Sequence, residues 1–336
     1  MLHVDNRKAE RHGVACAGNW ILDTVHTISH WPEKSGLSLI SSQHIGLGGG
    51  PANVAAGLKA MKVEYPILPI GLIGTGASGD EVLRLCQEVG LPLDGISRTA
   101  DAATSQTHVM NLPGDSRTFF HLRGANDLLG SSSINIDRLA EAGIKVLYLG
   151  YLTLLEQLDC ILADDRTVAA KLLSEARELG ITTCVDLAST KAEEYRDVVK
   201  GTLPAIDYLF ANELEAEQAT NLPLGDGTDA EAMLRAAREL KSGGVNQAVV
   251  LHSPSQVVWC GSDTEFVVAP ELLPPGDVIS AVGAGDAFAS GVIHGIHQDW
   301  PPESAVRFGI RAAAACLAGY TATDGLTNLP VPQEAP

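Results

Sequence analysis

The chain has 336 residues, 45% of them hydrophobic and 19% charged, with a formal net charge of −18. That length supports one large buried core with at most a small appendage, and the apolar content excludes a disordered chain. The acidic balance excludes general electrostatic binding to nucleic acid or to an anionic membrane, and still permits a local site for a phosphorylated compound.

In chain order, residues 1–13 carry mixed charges and no apolar core, so no signal peptide is expected. A short β-type run at 14–17 comes next, then an alternating pattern over 24–45 with no helix in it. A glycine-rich turn leads into a helical pattern over 53–61, a strand over 67–73 and a helix over 79–89. A second alternating stretch at 104–123 contains Pro113-Gly114-Asp115-Ser116, which is a hairpin turn signal. Strands are then predicted at 146–150, 182–186, 208–211 and 248–252, with helices at 164–179 and 229–242. Strand and helix alternating at this spacing means parallel strands with crossover helices, hence an α/β fold. The two excursions predict a small β lid (24–45 and 104–123) over a main domain (1–23, 46–103 and 124–330), with an irregular tail at 331–336. The longest apolar runs, such as 312–318, fall far short of the roughly 20 residues needed to span a bilayer. Six cysteines are spread singly, without a CxxC pair, and are expected to be reduced core residues of a cytoplasmic protein.

The strongest local signal is Val282-Gly283-Ala284-Gly285-Asp286-Ala287-Phe288-Ala289-Ser290-Gly291. A glycine turn opening a helix presents free N–H groups and the positive end of the dipole, which suits a phosphate or a developing anion. Asp286 at that mouth can take a proton from a hydroxyl while the amides of Gly283, Ala284 and Gly285 hold a transferring phosphoryl group. An aspartate at a helix start is also a common cap, and this segment alone leaves both readings open. A dinucleotide fingerprint is disfavoured, because the GxGxxG spacing and the later acidic residue are missing. Upstream, Gly46-Leu47-Gly48-Gly49-Gly50-Pro51-Ala52-Asn53-Val54-Ala55-Ala56-Gly57 forms another glycine turn entering a helix.

Both glycine segments, in this order and at this separation, resemble the ribokinase-like (PfkB) carbohydrate kinases, and the likeness runs from about residue 13 to 329. The resemblance implies a Rossmann-like αβα sandwich with a β lid, and ATP-dependent phosphorylation of a hydroxyl on a sugar or sugar-like molecule, with Asp286 as base. It implies sugar contacts from Asp23, with Asn19 secondary, and from Gly48, Gly49, Asn53 and Asn126. A carboxylate such as Asp23 can accept from two adjacent hydroxyls at once; an Asx-turn is the alternative reading. Asn212 and Glu215 resemble the family's NxxE motif, with Glu215 holding water around Mg²⁺; an acidic first turn favouring the helix dipole is the bland alternative. His252 and Ser253 fall on the nucleotide loop. The resemblance also implies a homodimer through the lid, with no nucleic-acid or membrane partner.

Three segments depart from the family pattern. Ser280 and Ala281 replace Asp-Thr, whose aspartate helps bind a monovalent cation, so potassium activation does not follow from the resemblance. Leu251-His252-Ser253-Pro254-Ser255-Gln256 replaces the glycine-bearing nucleotide loop, and Asp186-Leu187-Ala188-Ser189 replaces Asp-Pro-Asn. Arg123 and His121 border the expected substrate mouth; an arginine there can meet an acidic sugar or simply be a surface residue. His294 and His297 are expected to be exposed helix residues rather than metal ligands. Two other functions stay open. One is a nucleoside kinase, in which Trp20 stacks on a base. The other is a non-catalytic sugar-binding paralogue.

Overall fold

Gly13–Gly18 is buried at every position, as a strand covered by helices on both faces must be. It is β1 of a computed structural model that describes residues 11–112, 117–270, 273–274, 278–279, 282–319, 321–332 and 335. After it come β2 (Ile21–Ile28), β3 (Ile40–Gly48), α1 (Gly50–Ala60), β4 (Ile67–Gly74), α2 (Ala77–Glu88), β5 (Ile96–Thr99), β6 (Ser105–Asn111) and β7 (Arg117–Leu122). The second half runs α3 (Ile136–Glu141), β8 (Ile144–Leu152), α4 (Val168–Glu178), β9 (Thr182–Leu187), α5 (Tyr195–Thr202), β10 (Tyr208–Asn212), α6 (Glu213–Thr220) and α7 (Ala230–Ser242). It ends with β11 (Ala248–His252), β12 (Val257–Gly261), β13 (Glu265–Val268), α8 (Ala284–His297) and α9 (Pro302–Leu317).

The main sheet has the order β13-β12-β11-β10-β9-β8-β1-β4-β5. It is parallel from β11 to β5, with β12 and β13 added antiparallel at one edge. One face packs Leu172 and Leu173 of α4, Val198 of α5 and Met233 of α7. The other packs Val54 and Leu58 of α1, Val82 of α2, Val292 and Ile293 of α8 and Phe308 of α9. The result is the expected α/β sandwich. Among the described residues no helix is long and apolar enough to cross a membrane.

A separate sheet of order β3-β2-β6-β7 forms the lid, with β2 and β6 parallel and the outer pairs antiparallel. Its first two strands extend three residues beyond the 24–45 excursion at each end, so Asp23 is itself a lid residue. The hairpin turn read at 113–116 lies outside the described residues, as do Ser280 and Ala281.

Several boundaries differ for local reasons. Helix α1 begins at Gly50 rather than 53, because Gly49 (φ 91°) reverses the chain and Pro51 occupies the first turn. Helix α4 begins four residues later than the pattern at 164–179. Asp165 is left-handed, and the Thr167 hydroxyl caps the Ala170 amide at 3.0 Å. Strands β5, β12 and β13 were not anticipated; all three are short, and β5 and β13 are the two edges of the sheet. His294 and His297 correct the expectation of exposure: both are buried on the inner side of α8. Tyr65 stacks on His297 with centroids 3.8 Å apart, and its hydroxyl lies 3.1 Å from His294 Nδ1. Burial pushes both imidazoles down to about 4, so they are neutral core rings. Five cysteines are buried; Cys160 is exposed.

Candidate active site

The carboxyl ends of parallel strands, where backbone pairing stops, are the natural floor of a cleft in an open α/β sheet. Here Tyr151 at the end of β8, Asp186 on β9, Asn212 on β10 and His252 on β11 line one cleft of about 480 Å³. Gly283, Ala284, Gly285 and Asp286 close it from α8, and Asp23, Thr107, Phe119 and His121 cover it from the lid.

Asp286 sits in the first turn of α8, whose cap Gly283 is left-handed at φ 76°. A Cβ at Gly283 would lie 2.3 Å from Ala322 Cβ, so the loop is closed to other residues. The Asp286 carboxylate accepts two bonds, from Asn53 Nδ2 at 2.8 Å and from the Tyr151 hydroxyl at 3.1 Å. Both fall on Oδ2, which orients the group and leaves Oδ1 for the cleft. Burial pushes the acid up to about 6, against the downward pull of the Asn53 and Tyr151 bonds. An acid in that range is ionised at neutral pH and basic enough to take a proton.

Tyr151 was not singled out from the sequence, yet its hydroxyl holds Asp286. Its backbone is left-handed at φ 65°, a conformation that costs about 1–3 kcal/mol for a non-glycine residue. The glycine run beside it explains how it fits. A Cβ at Gly50 would come within 2.9 Å of the Tyr148 hydroxyl and of Tyr151 Cε1. A Cβ at Gly48 would overlap the Asp23 carboxyl at 2.2 Å. Gly48, expected as a sugar contact, thus serves by leaving space for Asp23, while Gly49 lines the cleft directly.

Asp23 faces Thr107, and Thr107 faces His121, along one rung of the lid. Burial pushes the Asp23 carboxyl up to about 7, opposed by hydrogen bonding from Thr107, and Oδ1 is buried without a partner. Asn53 reaches the cleft only through Asp286. Two other expected contacts do not line it. Asn19 is fully buried, its Nδ2 donating to the Leu154 carbonyl at 3.3 Å. Asn126 accepts from the Trp20 amide and donates to the Trp20 carbonyl, both at 3.2 Å, so its amide is consumed in clipping the chain. Trp20 is itself fully buried, with Nε1 donating to the Ile70 carbonyl at 2.8 Å; it corrects the expectation that this ring stacks on a base.

On the far side, Asn212 and Glu215 form a reciprocal capping box on α6. The Glu215 amide donates to Asn212 Oδ1 at 2.9 Å, and the Asn212 amide donates to Glu215 Oε2 at 2.8 Å. The Ser189 hydroxyl donates to Glu215 Oε1 at 2.8 Å, so both carboxylate oxygens are engaged. Ser253 does not line the cleft. Its hydroxyl donates to the Gly227 carbonyl and closes the tight turn between β11 and β12. His252 does line it, 3.4 Å from where a Gly285 Cβ would be, and burial pushes its imidazole down to about 4.

Arg123 pairs with Asp127 at 2.8 Å and Glu156 at 2.9 Å and points out of the cleft. Among the described residues no three His, Cys, Asp or Glu side chains are grouped to hold a metal ion. Asp186, Glu215 and Asp286 nevertheless stand close enough to feel one another. Burial first, then Glu215 and Asp286, raise Asp186 well above the usual range, and Tyr148 donates to it at 3.1 Å. A divalent cation beside these carboxylates would relieve that repulsion, so the residues fit Mg²⁺.

An aspartate at a helix mouth, a glycine turn and a lid-borne carboxylate line one cleft, an arrangement able to move a phosphoryl group to a hydroxyl. Residues 12–328 match the family model described as pfkB family carbohydrate kinase. The chain belongs to that family. This carbohydrate kinase is 26% identical over 323 residues to an ATP-dependent ribose-1-phosphate kinase of Halopiger xanaduensis, with 94% of each chain covered. It is 24% identical over 298 residues to a 5-dehydro-2-deoxygluconokinase of Clostridium perfringens, covering 84% of this chain and 81% of that one. The fold matches the structure of Arabidopsis thaliana ribokinase complexed with ribose and ATP, with a TM-score of 0.73, 19% identity and 96% of both chains covered. The kinase's Tyr151 and Thr107 were the residues that pattern reading missed. Tyr151 follows directly on the end of the predicted strand at 146–150, which is where an α/β site is built.

Proposed function

We propose that this kinase transfers the γ-phosphoryl group of ATP to a sugar hydroxyl held between Asp23 and Asp286. The observation that carries this reading is that both carboxylates line one cleft, Asp286 at the N-terminal mouth of α8. Oδ1 of Asp286 takes the hydroxyl proton while Asn53 and Tyr151 fix Oδ2, so the carboxylate keeps its orientation as its charge falls. The amides of Gly283 to Gly285 face the cleft and stabilise negative charge on the migrating group. Asp23 accepts from the substrate's other hydroxyls, and lid strands β6 and β7 exclude water. Glu215 and Asp186 are the residues that would hold a Mg²⁺ accompanying the nucleotide, which would supply charge neutralisation at the phosphates. Asn212, through the capping box, fixes Glu215 in place.

The lid's outer face exposes Ile45, Phe120 and Leu122, which supports pairing of two lids in a homodimer. A cytoplasmic setting accords with the singly spread cysteines.

The test is a coupled ADP-release assay over sugars, sugar acids and nucleosides with wild type and Asp286→Asn. Turnover of at least one compound is expected, with kcat falling about 10²–10⁴-fold in the variant. Wild-type binding without turnover on the whole panel favours the non-catalytic alternative instead.

A further inference from the structure

The lid side of the cleft carries a second polar group beside Asp23. His121 lies on the same rung, opposite Thr107, and Thr107 lies opposite Asp23. Residues facing each other across a pair have Cβ atoms about 4.5–5.5 Å apart, so the three side chains form one row. Thr107 Oγ1 and His121 Nδ1 are 3.0 Å apart. Nδ1 is engaged with Thr107, so Nε2 is the ring nitrogen left for a ligand. That Nε2 is buried with no hydrogen-bond partner, and so is Oδ1 of Asp23. Burial and the neighbouring Arg123 charge lower the imidazole's proton affinity, keeping the ring neutral. The row thus holds two polar atoms without a partner, Asp23 Oδ1 and His121 Nε2.

The charge of the cleft points the same way. Asp23, Asp186, Glu215 and Asp286 line it, and no Lys or Arg stands among the described lining residues. Arg123 at the rim is held by Asp127 and Glu156. Arg117 shares the inner lid face by strand alternation, but four residues along β7 place it about 13 Å from His121.

Resting on the kinase reading above, we propose that His121 is a specificity-determining residue whose Nε2 hydrogen-bonds a second substrate hydroxyl beside Asp23, and that this pair, in a cleft lined by carboxylates, selects uncharged polyol substrates over sugar phosphates and sugar acids. A hydroxyl can both donate and accept, so it pairs with Nε2 in either tautomer and with Asp23. A phosphate or carboxylate placed there meets Asp23, Asp186, Glu215 and Asp286 with no Lys or Arg among the described lining residues to offset its charge.

The test is calorimetric binding without ATP, which is independent of turnover and so separates this inference from the kinase reading. The probes are D-ribose, D-fructose and cytidine against ribose 1-phosphate and fructose 1-phosphate. At least one uncharged probe is expected to bind at least tenfold more tightly than its phosphorylated counterpart. His121→Asn keeps a group near Thr107 but does not reach the ligand, and should weaken that binding at least tenfold. His121→Gln, whose side-chain amide reaches the Nε2 position, should restore most of it. For whichever probe is turned over, His121→Asn should raise KM and leave kcat within about threefold, a split that loss of structure does not produce. Tighter binding of either phosphate, no binding of any uncharged probe, or an unchanged Kd in His121→Asn overturns the proposal.

Discussion

Asp286 and Asp23 are both buried carboxyls in one cleft, and their surroundings give them different work. Asp286 stands on a main-domain helix, and its Oδ2 already has two internal donors, Asn53 and Tyr151. Asp23 stands on the lid, and its Oδ1 is buried with nothing to accept from. The first is oriented before any ligand arrives and is held near 6, where a carboxylate is ionised at neutral pH yet still basic. The second is pushed up to about 7 because burial is answered by little besides Thr107. A pre-oriented group suits proton transfer; an unsatisfied acceptor suits binding, since a substrate hydroxyl supplies what the protein withholds.

This contrast can be broken in order of expected effect. Asp23→Asn should weaken sugar binding most, by about 10–100-fold in KM, because a hydrogen bond to a charged group is worth about 1.5–3 kcal/mol. Steady-state kinetics on the best substrate check this, and an unchanged KM would remove Asp23 from the site. Tyr151→Phe should lower kcat about tenfold, the loss of one orienting bond to Asp286. In the wild type, log(kcat/KM) should fall as pH drops through about 6, as Asp286 gains a proton and stops acting as base. Tyr151→Phe should move that limb upward, because the lost bond lowers the acid's pKa. A limb that stays in place would mean that another group titrates.

The smallest effect is on stability. Asp23 in the folded chain binds a proton between its unfolded value of about 4 and about 7, whereas the unfolded chain does not. Its contribution to stability is therefore lost as pH rises through that window. Asp23→Asn should melt a few degrees higher than wild type at pH 8, with the gain gone near pH 4. A destabilised variant at pH 8 would show that the carboxylate is better satisfied than its bare Oδ1 indicates.

The fold was legible where pattern and burial agree. The six predicted strands all lie in the parallel part of the sheet, because runs apolar on both faces have no other stable place. The lid was legible through alternation, which survives where one face is wet. The antiparallel strands β12 and β13 were not, since four or five residues with Gly261 nearby carry little periodicity. Within the site, Asp286 could be singled out because a glycine motif frames it, and Asp23 through the family resemblance. Tyr151 could not, because its role depends on a left-handed backbone and on the space above Gly50, neither written in its own neighbours. Asn126 and Trp20 misled for a related reason: each looked like ligand chemistry, and each was satisfied by the other's backbone or by Ile70.

A crystal structure with a turned-over sugar bound, in the absence of ATP, tests the central claim most directly. The account predicts the acceptor hydroxyl within about 3.2 Å of Asp286 Oδ1 and a neighbouring hydroxyl on Asp23 Oδ1. A sugar seated in the cleft with no hydroxyl near Asp286, or seated outside the cleft altogether, would contradict it.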